Sequence, residues 1–233
     1  MPDQPFLRVG VLPFESGGDC PDSAIIDTAN GFAYFGCATA PGQVVKVKLS
    51  DFSRVGVLPF ESGEDSLYSA VIDTANGFAY FGCATSPGLV VKVKLSDFSR
   101  VGVLPFESGE DYFYSAVIDT ANGFAYFGCS TPPGQVVKVR LSDFTRIGVL
   151  PFESGEDWFY SAVIDTANGF AYFGCDTIPG QVVKIQVASG AITAAAYRAQ
   201  KKLITGFHCF MKQYIDFTKL NLAPLKLPDG TLW

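Results

Sequence analysis

The chain has 233 residues, of which 48% are hydrophobic, 14% aromatic and only 17% charged, with a formal net charge of −6. So apolar a composition excludes disorder over most of the length. The charge is also uneven: residues 1–197 carry 11 Lys/Arg against 21 Asp/Glu, and residues 198–233 carry six against two. An acidic body excludes nucleic acid and an anionic membrane as its partner, because phosphate recognition needs clustered basic charge.

The N-terminal stretch MPDQPFLRVGVLPF shows no basic leader followed by an apolar stretch. No apolar run reaches the roughly 18 residues that cross a bilayer, and no Asn-x-Ser/Thr sequon occurs. These features leave the compartment undetermined.

The string DTANGFAYFGC then occurs four times, opened by Asp27, Asp73, Asp119 and Asp165 at intervals of 46 residues. Val55–Arg100 and Val101–Arg146 differ at only seven of 46 positions. A period in the forties means one supersecondary unit copied and stacked. Within one copy, Ser69–Asp73 has the length and apolarity of a strand, and Asp73-Thr74-Ala75-Asn76-Gly77 is a tight-turn signal. Phe78–Cys83 forms the second strand, Ser86-Pro87-Gly88 turns the chain, and Leu89–Leu95 forms the third. Ser96-Asp97-Phe98 leads into a fourth, Arg100–Phe106, whose Pro105 suits an edge. The second strand is apolar on both faces, as expected of a sheet covered above and below. Four antiparallel strands per 46 residues define a propeller blade.

The expected fold class is therefore all-β: a β-propeller-type array of four four-stranded antiparallel blades, with a short C-terminal helical tail. The repeat domain spans 1–197, with blades at about 23–60, 69–106, 115–152 and 161–197. A lone outer-strand copy stands at Arg8–Phe14. The outer strand of the last blade falls on the degenerate Ala191–Tyr197. The count fits a tight four-blade ring, an open arc, or half of a ring completed by a second chain.

In the tail, 198–233, Leu203, Ile204, Phe207, Phe210, Met211, Tyr214 and Ile215 recur at helical spacing beside Lys201, Lys202, His208 and Lys212. That pattern predicts a basic amphipathic helix followed by a loop. It is suited to packing on an end blade or, as the only membrane-directed reading, to a lipid surface.

Pooled from the copies, VIDTANGFAYFGCATSPGQVVKVKL resembles the YVTN and lactonase-like class of β-propeller repeats over roughly residues 7–197. The resemblance implies a propeller and little about function, because the class includes enzymes, adhesion modules and binding scaffolds. Its rings are commonly built from about seven blades, more than the four counted here.

The copies diverge at two places. One is the link between blades: Cys20-Pro21-Asp22, Ser66-Leu67-Tyr68, Tyr112-Phe113-Tyr114 and Trp158-Phe159-Tyr160. The other is the second-to-third turn, at Ala40, Ser86, Pro132 and Ile178. Both belong on one rim of the disk, and loops on a rigid scaffold carry recognition. The candidate ligand-binding residues are Glu64, Asp65, Tyr68, Glu110, Asp111, Tyr112, Tyr114, Glu156, Asp157, Trp158 and Tyr160. Carboxylates beside aromatic rings suit cationic peptide groups or sugars.

Catalysis has little support: the one His is in the tail, and no hydrolase, zinc or phosphate-loop motif occurs. Repeated Asp27, Asp73, Asp119 and Asp165 suit turn caps. Cys37, Cys83, Cys129 and Cys175 recur at one blade position and suit buried thiols, whereas Cys20 and Cys209 are unique. The expectation is a non-enzymatic scaffold for a protein, peptide or glycan, without cofactor or metal and able to form a homodimer through exposed blade ends. Its alternatives are a calcium-dependent lactonase- or lyase-like enzyme and a structural surface-repeat fragment.

Overall fold

The fold was analysed in a computed structural model that describes residues 7–14 and 20–187. Four antiparallel sheets follow one another along the chain. The first holds β1 (Pro21–Asp27), β2 (Phe32–Cys37), β3 (Gln43–Lys48) and β4 (Ser53–Pro59). The second holds β5 (Leu67–Asp73), β6 (Phe78–Cys83), β7 (Leu89–Lys94) and β8 (Ser99–Pro105). The third holds β9 (Phe113–Asp119), β10 (Phe124–Cys129), β11 (Gln135–Arg140) and β12 (Thr145–Pro151). The fourth holds β13 (Phe159–Asp165), β14 (Phe170–Cys175) and β15 (Gln181–Gln186). Strand order equals chain order within each sheet, so every blade is a meander.

The turns form as their residues dictate. In each DTANG loop the aspartate accepts from the backbone and side chain of the asparagine; Asn122 N reaches Asp119 Oδ1 at 3.1 Å and Nδ2 reaches Oδ2 at 2.7 Å. Gly123 closes that turn at φ +75°, where a side chain would be strained. The aspartates of the first three blades are almost fully buried, so the carboxylate is a turn cap.

Blades stack through their first strands: β5 lies beside β1, β9 beside β5 and β13 beside β9, while β1 and β13 are not neighbours. The four blades thus make an arc. Ser23, Ser69 and Ser115 stitch it, each Oγ donating to the first strand of the next blade, as from Ser69 to Phe113 O at 2.8 Å. Gly82 permits the close approach, since a Cβ there would come within 2.9 Å of Phe113 Cβ. Between blades two and three, Tyr80, Val90, Phe106, Phe113, Phe127 and Val137 fill the seam. Burying one such Phe contributes about 2–3 kcal/mol.

Both ends of the arc show what the stacking covers. Val44, Val90 and Val136 are at most 2% exposed, but their equivalent Val182 is 69% exposed. At the other end, residues 7–14 lie on blade one, with Leu12 and Phe14 against Cys37, Val45 and Val47. The expected strand Arg8–Phe14 is not one: it has no ladder, because no third strand lies beside it among the described residues. The expected outer strand Ala191–Tyr197 and the tail helix lie outside the described residues.

Candidate functional site

Backbone bonds assign the loops to two rims. Tyr112 N donates to Thr85 O (3.0 Å) and Gly88 N to Glu110 O (2.9 Å), so the link between blades lies against the second-to-third turn of the preceding blade. Ser66 and Trp158 repeat the first bond, to Thr39 at 2.9 Å and Thr131 at 3.4 Å. On the opposite rim Leu95 N donates to Gly77 O at 2.9 Å, joining the SDF turn to the DTANG turn. The divergent segments therefore share one rim and the constant segments the other.

The structure divides the candidate carboxylates by role. Glu64 and Glu110 are buried at 4% and 3% exposure. Glu64 receives Arg100 Nε at 2.9 Å and also bonds its terminal nitrogen; Arg146 grips Glu110 in the same way, Nε to Oε2 at 2.8 Å. This hydrogen bonding raises the pKa of both guanidinium groups. The same glutamates accept from Glu61 N and Glu107 N, so they lock the link to the outer strand rather than facing outward. Glu156 is half-buried and caps Glu153 N at 2.9 Å, with no arginine beside it among the described residues. Asp65, Asp111 and Asp157 are half-buried, and Asp111 and Asp157 each hold a buried oxygen with no partner among the described residues. Such an oxygen is an acceptor in want of a donor.

The aromatic candidates come together more closely than their spacing suggested. A bulge at the start of each first strand displaces Tyr68, Tyr114 and Tyr160 from the ladder. Their rings form a continuous row, 4.6 Å between Tyr68 and Tyr114 and 4.9 Å between Tyr114 and Tyr160. Burial first, then the neighbouring tyrosines and Asp22, raise the pKa of Tyr114. Beside this row stand Tyr112 and Trp158, each 39% exposed and in left-handed backbone at φ +57° and +59°. Neither ring packs on another aromatic ring among the described residues.

Sequence reasoning missed two partners of this framework. The arginines of the outer strands, Arg100 and Arg146, were read as strand residues, although Glu and Arg at a constant offset of 36 in successive copies are a pairing signal. On the constant rim Lys92 sits 4.0 Å over the Phe78 ring and 5.6 Å from that of Phe144 in the next blade, and Lys46 repeats the arrangement with Phe32 and Phe98. Such cation–π contacts join the blades. Desolvation lowers the pKa of both lysines.

The repeated cysteines are buried thiols as expected; burial pushes Cys83 and Cys129 up, well out of the nucleophilic range. Cys20 is exposed, and Cys209 lies outside the described residues. Among the described residues no three His, Cys, Asp or Glu side chains gather as a metal-binding group. No helix of the described residues is long and apolar enough to cross a membrane.

No family model matches the sequence, and no curated protein matches it. Among solved structures it is similar to the WD40 repeats of RRP9 and to U3-55K, each with a TM-score of 0.56 at 6% identity over 70% of this chain. The match takes in 50% of the first structure and 51% of the second, so the chain spans about half their length. The four sheets and this likeness show a β-propeller repeat fold.

Proposed function

We propose that the chain is a non-enzymatic scaffold whose divergent rim binds a protein, peptide or glycan. The observation that carries this reading is the tyrosine row with Tyr112 and Trp158 beside it. Tyr68, Tyr114 and Tyr160 are held on bulges, Tyr112 and Trp158 in left-handed backbone, and these rings are left partly exposed next to half-buried Asp65, Asp111 and Asp157. Cys20 and Ser66 keep the same left-handed backbone in the first two links, so what the last two links add is the exposed ring itself. A row of tilted aromatic rings edged by carboxylate acceptors suits an extended segment rich in Lys or Arg, or a sugar ring. Glu64 and Glu110 support the row from behind, and Glu156 supports it on the last blade.

One of the proteins it resembles in shape, RRP9, carries WD40 repeats, and a protein partner is in keeping with that likeness. Assignment to the YVTN and lactonase-like class rests on the pooled blade motif alone. The calcium-dependent enzyme reading has no observation in its favour.

The test follows Trp158 fluorescence in a Trp233→Phe background, with an oligo-arginine peptide, an oligo-glutamate peptide and a panel of neutral oligosaccharides as probes. Saturable change with the cationic peptide or a sugar, lost in Tyr112→Ala and weakened in Asp111→Asn, supports the reading. Absence of any saturable change, or equal response to oligo-glutamate, refutes it.

A further inference from the structure

The arc ends in two unmatched halves of one sheet edge. At one end β15 exposes its outer edge, without a ladder partner among the described residues. Beside it a cleft of about 230 Å3 opens between that edge and β12, lined by Ile147, Val149, Leu150, Ile185 and Val187. At the other end Leu7–Phe14 has the sequence of an outer strand, LRVGVLPF, but no ladder. It already stands where an outer strand stands. A Cβ on Gly10 would meet the Phe52 ring at 3.2 Å, as one on Gly56 would meet Phe98, and Phe14 packs edge-on against Phe35 at 5.9 Å as Phe60 does against Phe81.

Charge supplies an independent argument. In blades two and three the outer-strand arginine is bound by a glutamate of the preceding link: Arg100 by Glu64, Arg146 by Glu110. The last blade keeps the glutamate, Glu156, yet the equivalent position on its own chain, 192, is Ile. Arg8 is the reverse case: an exposed outer-strand arginine with no carboxylate beside it among the described residues.

We infer that Leu7–Phe14 of a second copy of this chain adds to β15 as the missing outer strand, and that two copies joined so at both junctions make one ring of eight blades. The register follows from β11 and β12, where Val137 faces Val149, Lys138 faces Gly148 and Val139 faces Arg146. By that register Val183 faces Val11, Lys184 faces Gly10, and Ile185 faces Arg8, whose guanidinium meets Glu156. Phe52, 49% exposed, then covers Lys184 as Phe98 covers Lys46. The exposed blade faces, Val163 at 65% and Val182 at 69% on one side and Ile26 at 53% on the other, close on each other. Eight blades lie within the range of closed propellers, and twelve would not. A two-fold axis relates the two junctions and closes the ring, so no blade is left without its outer strand. The contact holds whether or not the divergent rim binds a ligand.

Sedimentation of the full chain tests it. The expected mass is twice the 25.0 kDa of one chain. Arg8→Glu and Glu156→Arg should each weaken association by roughly 100-fold, because each sets like charges together at both junctions. An equimolar mixture of the two variants should restore the dimer, since every junction then joins opposite charges. Circular dichroism of each variant alone shows that the monomer remains folded. A monomeric wild type, as strand pairing within one chain would give, overturns the inference. So does an open polymer, or a dimer that neither reversal weakens.

Discussion

The two rims are built from the same blades yet treat strained backbone in opposite ways. On the constant rim Phe52, Phe98 and Phe144 adopt φ of +51° to +52°, and the last two place their rings in the preceding blade, Phe144 at 5.7 Å from Tyr80. On the divergent rim Tyr112 and Trp158 hold an equally unfavourable φ, and their rings stay exposed. Left-handed backbone costs an L-residue about 1–2 kcal/mol. The constant rim recovers that cost through ring packing, whereas the divergent rim recovers it through backbone bonds alone, such as Tyr112 N to Thr85 O and Ser130 N to Tyr112 O. A ring left exposed where its counterpart on the other rim packs is the physical mark separating a recognition surface from a structural one.

Alkali should attack the seams behind both rims first and with the largest effect, since Tyr34 and Tyr126 are buried there. Burial and a nearby aspartate raise the phenols of Tyr34 and Tyr126 from the ordinary value of 10 to about 12. The folded state therefore holds these protons more tightly than the unfolded chain. Their contribution is intact below pH 10 and is lost as pH rises through 10 to 12, on the order of 1.4 kcal/mol per group per pH unit. Urea midpoints measured across that window should fall steeply. A flat profile up to pH 12 would show that these hydroxyls reach solvent.

Removing a turn cap comes next. Asp119→Ala leaves Asn122 N and Nδ2 without their acceptor, at a cost of about 3 kcal/mol for two bonds to a buried charge. Thermal melting should register it, whereas binding at the divergent rim should persist in the folded fraction. Phe144→Ala should cost less, about 2 kcal/mol, because the ring is partly buried and its loss uncovers Lys92 and Tyr80. Equal destabilisation by Tyr112→Ala would erase the distinction between the rims.

Much of this contrast was legible in the residues. The period gave the blades, and Asp73-Thr74-Ala75-Asn76-Gly77 announced its turn, because Asn-Gly chemistry is local. The gathering of the divergent loops followed from meander topology alone. What could not be read was long-range geometry. Glu64 and Glu110 were read as candidate ligand-binding carboxylates, but each is held by an arginine 36 residues on, a pair that only the constant offset between copies signals. The row of Tyr68, Tyr114 and Tyr160 depends on a bulge, which alternation patterns do not reveal. Leu7–Phe14 was read as a strand from its residues, but a strand requires a neighbour as well as a sequence.

The smallest effect is also the sharpest, because its sign is reversed. At φ near +57° glycine is at ease where Tyr112 and Trp158 are not. Tyr112→Gly and Trp158→Gly should therefore leave stability unchanged or raise it by up to about 1 kcal/mol, after the added freedom of the unfolded chain is subtracted. Gly123→Ala on the constant rim, at φ +75° and with open space around it, should lower stability by about 1 kcal/mol. A scaffold that gains stability when its exposed aromatic residues are removed, while losing its ligand, has kept them at a cost to the fold. If both glycine variants instead melt earlier by as much as Phe144→Ala, the rings are structural and the divergent rim is not a recognition surface.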